Sequence, residues 1–509
     1  MNSKQTYILL LLLVIFQNVN AQVQKLYQLS QNKYLGMRVI LNEKQDDVWG
    51  YSVLYQKDEV EKDVLDLELV ILDNNLNKVG STSFQQFFVG IGSKDELPKI
   101  AEQNLKGNTL YFSVGLSGMF NSMPSIYRQL NLNDFTVSEA GIFMNGEIQP
   151  FTNIFTLKQP IKNSMVVSLG TSGYLAYAAP DLGSRKTASS ETQYPFSVLD
   201  LDFKAKWSGT FKKAKKLTNM LSYVYPIHNT DYVLFTVEEE INNKFVTTYD
   251  VYDIEVGTKI TNFRVADENY LYSNDKLILK KDLILSYDFV FENNKKDLKE
   301  ENKIIGYSEK VFNLKDGTSA QKILKWDAFK DYFAIDEFGK IDKDFYIYPM
   351  DIKTIANGNK LMIFEGFKPG ATTQTLDLYA VEFDTNFKIL KFLKIEKSMN
   401  KWSRINANGS FLKKNGYFDY DYSDKISDDT YAFIYTDNEK LNSIYVSLKP
   451  NWVMGIVTFT DGVFSTQKIN LSSKDVEIST ERAKKGYILL RETNTKDKTT
   501  EIRLEKINY

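Results

Sequence analysis

Five aspartates crowd the stretch FDYDYSDKISDD: Asp419, Asp421, Asp424, Asp428 and Asp429. Calcium, a hard cation, takes carboxylate oxygens of this kind. Asp419, Asp421 and Asp424 are therefore the candidate metal ligands, and calcium is the one candidate cofactor. The spacing of an EF-hand loop fails, because Asp424 stands where glycine belongs and Thr430 where the bidentate Glu belongs. An acidic surface turn without bound metal is the expectation.

Other chemistry is narrowed by what the chain lacks. His228, in YPIHNTD, is the only histidine. A Ser-His-Asp triad or a His-rich zinc site would hang on that one ring, so a structural or exposed role is expected. There is no cysteine, which removes disulfides, thiolate metal sites and Cys nucleophiles. No G-x-S-x-G, P-loop or dinucleotide fingerprint falls between a strand and a helix. A glycosidase-type pair needs only two acids about 5–10 Å apart, and 65 Asp and Glu residues do not say which two. Trp49, Trp207, Trp326, Trp402 and Trp452 could stack on sugars, but their scatter fits packing between elements better. Lys and Arg number 63, giving a net charge of −2, and this offers no electrostatic case for nucleic acid.

The elements that would position any site are strands. LDLELVILDNNLNKVG runs from Leu65 to Gly80, and LDLYAVEFDTNFKILK begins at Leu376. Leu65, Leu67, Leu69 and Ile71 alternate with Asp66, Glu68, Val70 and Leu72, the period of a strand. DNN and DTN supply turn residues, so each stretch reads as strand, tight turn, strand. Weaker echoes begin at Tyr127, Phe196, Tyr249, Glu309 and Gly455, with EIRLEKINY at the end. Upstream of each lies a further strand-like run, such as VWGYSVLYQ, TLYFSVGL or KLMIFEGF.

Four-strand units repeating at tens of residues predict an all-β chain, a β-propeller of eight, alternatively seven, four-stranded blades. Eight units of about 61 residues lie nearer than seven of about 70 to the usual propeller repeat. VQKLYQLSQ near the start is expected to complete the blade that EIRLEKINY ends, pairing both termini so that neither edge stays open. An outer-membrane barrel also alternates, but the strands lack a clean lipid-facing band. Two tandem β-domains are the other alternative.

Lys4 followed by the nine apolar residues Ile8–Phe16 and then QNVNAQ reads as a secretory signal cleaved after Ala21. The run is short of the roughly 20 residues that span a bilayer. The expected domains are residues 1–21, a signal peptide, and 22–509, the propeller. Location is expected in the periplasm, on the outer-membrane surface or outside the cell, with no transmembrane segment after cleavage. In these features the chain resembles large secreted β-propeller proteins of unassigned function from Gram-negative bacteria. The resemblance rests on pattern and implies no residue roles.

In a four-strand meander the second-to-third connections and the third-to-fourth turns lie at opposite ends. The latter are short: DNN, DTN, EVGT, KDGT, TDG. The former include GLSGMFNSMPS, APDLGSRKTASSETQ, ENNKKDLKEEN and EGFKPGATTQ. Function tends to sit on such elaborated loops, so Met119, Phe120, Met123, Arg185 and Phe367 are the candidate partner-binding residues. The functional reading is a non-enzymatic binding or scaffold protein that engages a protein, peptide or glycan at the cell envelope. The alternative is a carbohydrate-active hydrolase or lyase with carboxylates lining the channel.

Overall fold

Val64–Asp73 and Lys78–Phe87 form the hairpin that the stretch from Leu65 to Gly80 spells, paired from Val64↔Phe87 to Leu72↔Lys78. Leu65, Leu67, Leu69 and Ile71 are buried together in one apolar cluster, as period-two alternation requires. The computed structural model describes residues 23–61, 64–87, 97–116, 126–144, 147–150, 164–178, 192–213, 227–241, 244–264, 269–292, 303–342, 344–368, 372–403, 409–414, 416–439, 451–471 and 475–508. The signal segment lies outside them.

The strands form eight antiparallel sheets, most of them four-strand meanders, and these are the blades of an all-β propeller. The α-helices among the described residues are the short Leu26–Leu29 and Gly409–Lys414. Separate sheets are not the continuous closed wall that a barrel needs. The chain divides into two compact units: residues 1–140, 152–154 and 473–508; and residues 141–151, 155–472 and 509.

In the first unit, Lys33–Leu41, Val48–Glu61, Val64–Asp73 and Lys78–Phe87 make one full sheet. Pro98–Lys106, Thr109–Leu116 and Ile126–Asn131 follow as a meander. The last sheet joins the two ends of the chain. Val476–Arg482, Tyr487–Asn494 and Thr500–Lys506 take Val23–Lys25 as their fourth strand, with Val23↔Arg503, Gln24↔Ile502 and Lys25↔Glu501 in register. The expected pairing of termini is thus present. Leu26 then drops into the core, and the Tyr55 hydroxyl donates to its carbonyl at 2.8 Å.

The second unit holds five sheets and the hairpin Gly141–Met144/Glu147–Pro150. The sheets begin with Ser164–Ser168, Ile227–His228, Tyr270–Lys280, Phe345–Thr354 and Tyr420–Lys425. The one led by Phe345–Thr354 carries two further strands, Lys340–Asp342 and Asn400–Ser403. Its core is aromatic: Trp326, Phe329, Phe364, Phe383 and Phe387 pack edge to face around one another.

One turn design recurs. Asp73 accepts from the backbone N–H groups of Asn75 and Asn77, and Leu76 takes φ +64°. Asp384 accepts from Asn386 and Lys388, and Phe387 takes φ +62°. Asp200 with Phe203, Asp253 with Gly257 and Asn313 with Gly317 repeat the arrangement. A left-handed residue is what lets so short a loop reverse the chain. These are third-to-fourth turns; in the closing sheet Asn494 and Lys498 use the same design between the second and third strands.

Candidate functional site

The leading strands are where the structure brings chemistry together. Three of them in the second unit break register: between Asn274 and Lys276, between Pro349 and Asp351, and between Tyr420 and Tyr422. A bulge inserts one residue and re-aims its neighbours. Here it directs Asp275, Lys276, Asp351, Lys353, Tyr420 and Ser423, from strands far apart in sequence, into one network.

Asp351 is the hub. Its Oδ1 accepts from Lys276 Nζ at 2.8 Å and from the Ile352 N–H at 2.8 Å. Its Oδ2 accepts from the Tyr420 hydroxyl at 2.9 Å and from Ser423, with Lys353 Nζ at 3.1 Å. Burial alone would raise this carboxyl, but Lys276 and Lys353 outweigh it and hold the group well below the usual carboxylate range. Burial, then the Asp351 charge, drives the Tyr420 hydroxyl well above its ordinary value. Tyr420 is a donor here and is not poised as a base.

Beside the hub, Lys413 Nζ contacts both Asp275 oxygens at 2.9 and 2.8 Å and the Pro349 carbonyl at 3.0 Å. The Tyr307 hydroxyl donates to Asp275 at 2.6 Å. Asp288 lies deeper and accepts from Ser286 at 2.8 Å and Asn274 at 3.1 Å. Burial pushes its carboxyl up to about 6. Glu309, a neighbour in the same unit, is buried against Lys360 at 2.6 Å and takes the Tyr287 hydroxyl at 2.8 Å.

A second buried trio stands in the same unit. Lys397 pairs with Glu365 at 3.2 Å and with Asp419. Burial pushes Glu365 up to about 8, with the Asp419 charge adding to it against Lys397. The Lys397 ammonium is held above its ordinary value, because Glu365 and Asp419 outweigh the burial that would lower it.

Chemically these groups are engaged. Asp351 has more donors than lone pairs to receive them, and Asp288 and Glu365, the acids raised to about 6 and about 8, are almost wholly buried. A general acid must reach a substrate atom to act, and neither touches solvent as placed.

The residues expected from sequence are dispersed. Met119, Phe120, Met123 and Arg185 lie outside the described residues. Phe367 does not stand on a loop: Lys360–Lys368 and Thr372–Phe383 continue through most of the EGFKPGATTQ stretch. Its ring is buried against Tyr348 and Phe418 at 5.2 and 5.6 Å. Of the calcium candidates, Asp419 is buried in the Lys397 trio, Asp421 is exposed and accepts from Thr436 at 3.0 Å, and Asp424 is buried. Among the described residues no three acidic or His side chains gather as a metal site. His228 sits half-buried in a two-residue strand, and burial lowers its pKa. Trp326 donates to the Ile304 carbonyl at 2.8 Å and Trp207 to that of Ile254 at 2.9 Å, which makes both indoles packing elements.

Sequence reasoning missed Lys276, Asp351, Lys353 and Tyr420. They share no motif, and the bulges that unite them leave no mark in the residue pattern.

With this geometry in place, the likenesses to other proteins add little to it. A model described as "Family of unknown function (DUF6770)" matches residues 370–508. No curated protein matches the chain. Among solved structures, polysaccharide lyase Uly1 is 9% identical, with 80% of this chain and 89% of that one covered and a TM-score of 0.41. The β-propeller domain of the Trilobed protease from Pyrococcus furiosus is 11% identical, with 87% and 96% covered and a TM-score of 0.34. A member of the duf4221 family from Bacteroides vulgatus is 12% identical, with 68% and 92% covered and a TM-score of 0.27. Likenesses this loose carry no activity or substrate to this chain.

Proposed function

We propose that this chain is an exported, non-enzymatic binding propeller that engages a protein, peptide or glycan partner at the cell envelope. The signal-like start supports export. One observation carries the binding reading: the two ends of the sheets are built differently. Third-to-fourth turns repeat one tight, side-chain-capped design, as at Asp73, Asp200, Asp253 and Asp384. Second-to-third connections range from residues 242–243 to residues 179–191, with residues 117–125, 293–303 and 440–450 also long. A scaffold that standardises one end and diversifies the other places recognition on the diversified end. The engaged state of the buried acids argues in the same direction, against a carboxylate-based hydrolase or lyase.

The test compares the chain beginning at Gln22 with a version whose residues 117–125 and 179–191 are replaced by short Gly-Ser connections. Both are crosslinked in the parent envelope fraction and assayed on a glycan panel. A partner recovered by the first and lost by the second is expected. Turnover of a glycan by both proteins, with no partner recovered by either, overturns the reading.

A further inference from the structure

The Asp351 hub is layered. Lys276 and Lys353 are 33% and 31% exposed at their side chains, whereas Asp351 beneath them is 8% exposed. Lys413 is 21% exposed over Asp275 at 4%. The cations face solvent and the carboxylates lie under them. Lys413 has spent its three donors on Asp275 and the Pro349 carbonyl. Lys276 and Lys353 have not: among the described residues, Asp351 is the acid each one meets. An ammonium carries three donors. Two like charges are therefore held on the two oxygens of one saturated carboxylate, Lys276 on Oδ1 and Lys353 on Oδ2, each with donors to spare.

A structural ion pair needs one cation for one acid. The second lysine adds repulsion that an anion bridging the two would relieve. Asp351 cannot serve a metal instead, because Ile352, Tyr420, Ser423 and the lysines already fill its oxygens. Lys353 follows Asp351 by two on one strand, so both point to the same face. Lys276 reaches that face from the neighbouring sheet because of the bulge at Asp275.

We propose that Lys276 and Lys353 form a binding site for a small oxyanion, a carboxylate, sulfate or phosphate group, on the leading strands of the second unit. The site is separate from the loop surface of the proposed function and does not rest on it.

The full chain is probed with sulfate, phosphate and glucuronate, each against sodium chloride of equal ionic strength. Lysine acylation is followed site by site by mass spectrometry, with exposed Lys330 as the reference. Slower labelling of Lys276 and Lys353 with unchanged Lys330 is expected from at least one probe, and the probe that protects identifies the oxyanion. Lys276→Gln and Lys353→Gln, made singly so that Asp351 keeps one cation, should each weaken saturable binding about tenfold. Equal labelling in all three probes and in chloride overturns the site, as does a folded single variant that binds as tightly as the parent. The acylation arm needs no variant, so a misfolded variant does not blunt the test. A partner held only by the loops would leave Lys276 labelling unchanged, which separates failure of this site from failure of the loop reading.

Discussion

Lys397 Nζ lies 3.2 Å from the Glu365 carboxylate, and neither side chain has any exposure to solvent. Asp419 completes the trio, with Thr375 donating to it at 2.6 Å. The Asp419 and Tyr420 N–H groups donate to Glu365 at 3.2 and 3.1 Å. Glu365 belongs to the strand Lys360–Lys368, and Asp419 immediately precedes the strand Tyr420–Lys425 of the next sheet. The trio therefore ties two blades together. Lys397→Met would leave two acids buried without their cation, a class of change that costs about 3–5 kcal/mol. A lowered urea midpoint is expected. Adding Asp419→Asn should recover part of the loss, because the stranded Asp419 charge goes with it. An unchanged midpoint in Lys397→Met would refute the staple.

The same trio sets a pH dependence. Burial raises Glu365 to about 8 in the folded chain, against an ordinary value of 4.5. Between those values the folded state holds a proton that the unfolded state has released. Stability from this group is therefore fully present below pH 4.5 and is lost as pH rises toward 8. The proton belongs to the coupled trio more than to one oxygen. Urea midpoints of the parent should fall from pH 5 to pH 9 more steeply than those of Glu365→Gln, which cannot titrate. Parallel slopes would show that Glu365 is ionised throughout.

The acid side runs the opposite way. Asp351 is held below its ordinary value of 3.8 because Lys276 and Lys353 outweigh its burial. Its contribution is present above 3.8 and declines as pH falls through the lowered folded value. Asp351→Asn should flatten the midpoint profile below pH 4 relative to the parent. A parent and variant that lose stability in step over that range would place the acid sensitivity elsewhere.

The blades were legible because alternation and turn chemistry are local. Leu65 to Ile71 announce a half-buried strand, and Asp73 with Asn75 announces the turn after it. Pairing of Val23–Lys25 with Thr500–Lys506 was legible from counting strands. The charged network was not. Lys276, Asp351 and Tyr420 meet where three strands bulge, and a bulge depends on the partner strand as much as on its own residues. Phe367 misled for a related reason: the glycines and proline around it suggest a loop, yet the ladder runs on to Lys368 and leaves only residues 369–371 between strands.

The recurrent turn separates backbone strain from burial. Phe387 and Lys498 both take left-handed φ, +62° and +58°, a conformation that costs a residue with a Cβ about 1–2 kcal/mol. Phe387 is buried against Phe383 with ring centroids 5.8 Å apart, whereas Lys498 is exposed. Lys498→Gly should therefore stabilise the chain by about 1 kcal/mol, since no packing is lost. Phe387→Gly gains the same relief but forfeits about 3–5 kcal/mol of core packing, a net loss of roughly 2 kcal/mol or more. Opposite shifts in urea midpoint are expected; shifts of the same sign would mean that the turn residues are not what limits the hairpins.

Closure of the chain rests on few residues. Val23–Lys25 makes a ladder of only three residues with Thr500–Lys506, and short ladders hold poorly by hydrogen bonds alone. The next residue, Leu26, acts as a plug: it has no exposed surface and packs with Val48, Tyr55, Leu489 and Ile502. Those residues come from the first sheet and from the sheet that Val23–Lys25 completes, so one side chain bridges the beginning and end of the propeller chain. Leu26→Ala should cost about 2–5 kcal/mol, with early exchange of the amide protons of Thr500–Lys506 by mass spectrometry. Leu390→Ala, at a side chain that is 46% exposed, should shift stability by no more than about 0.5 kcal/mol. If Leu26→Ala left the Thr500–Lys506 amides as protected as before, the three-residue ladder would be self-sufficient and the plug would be ordinary core.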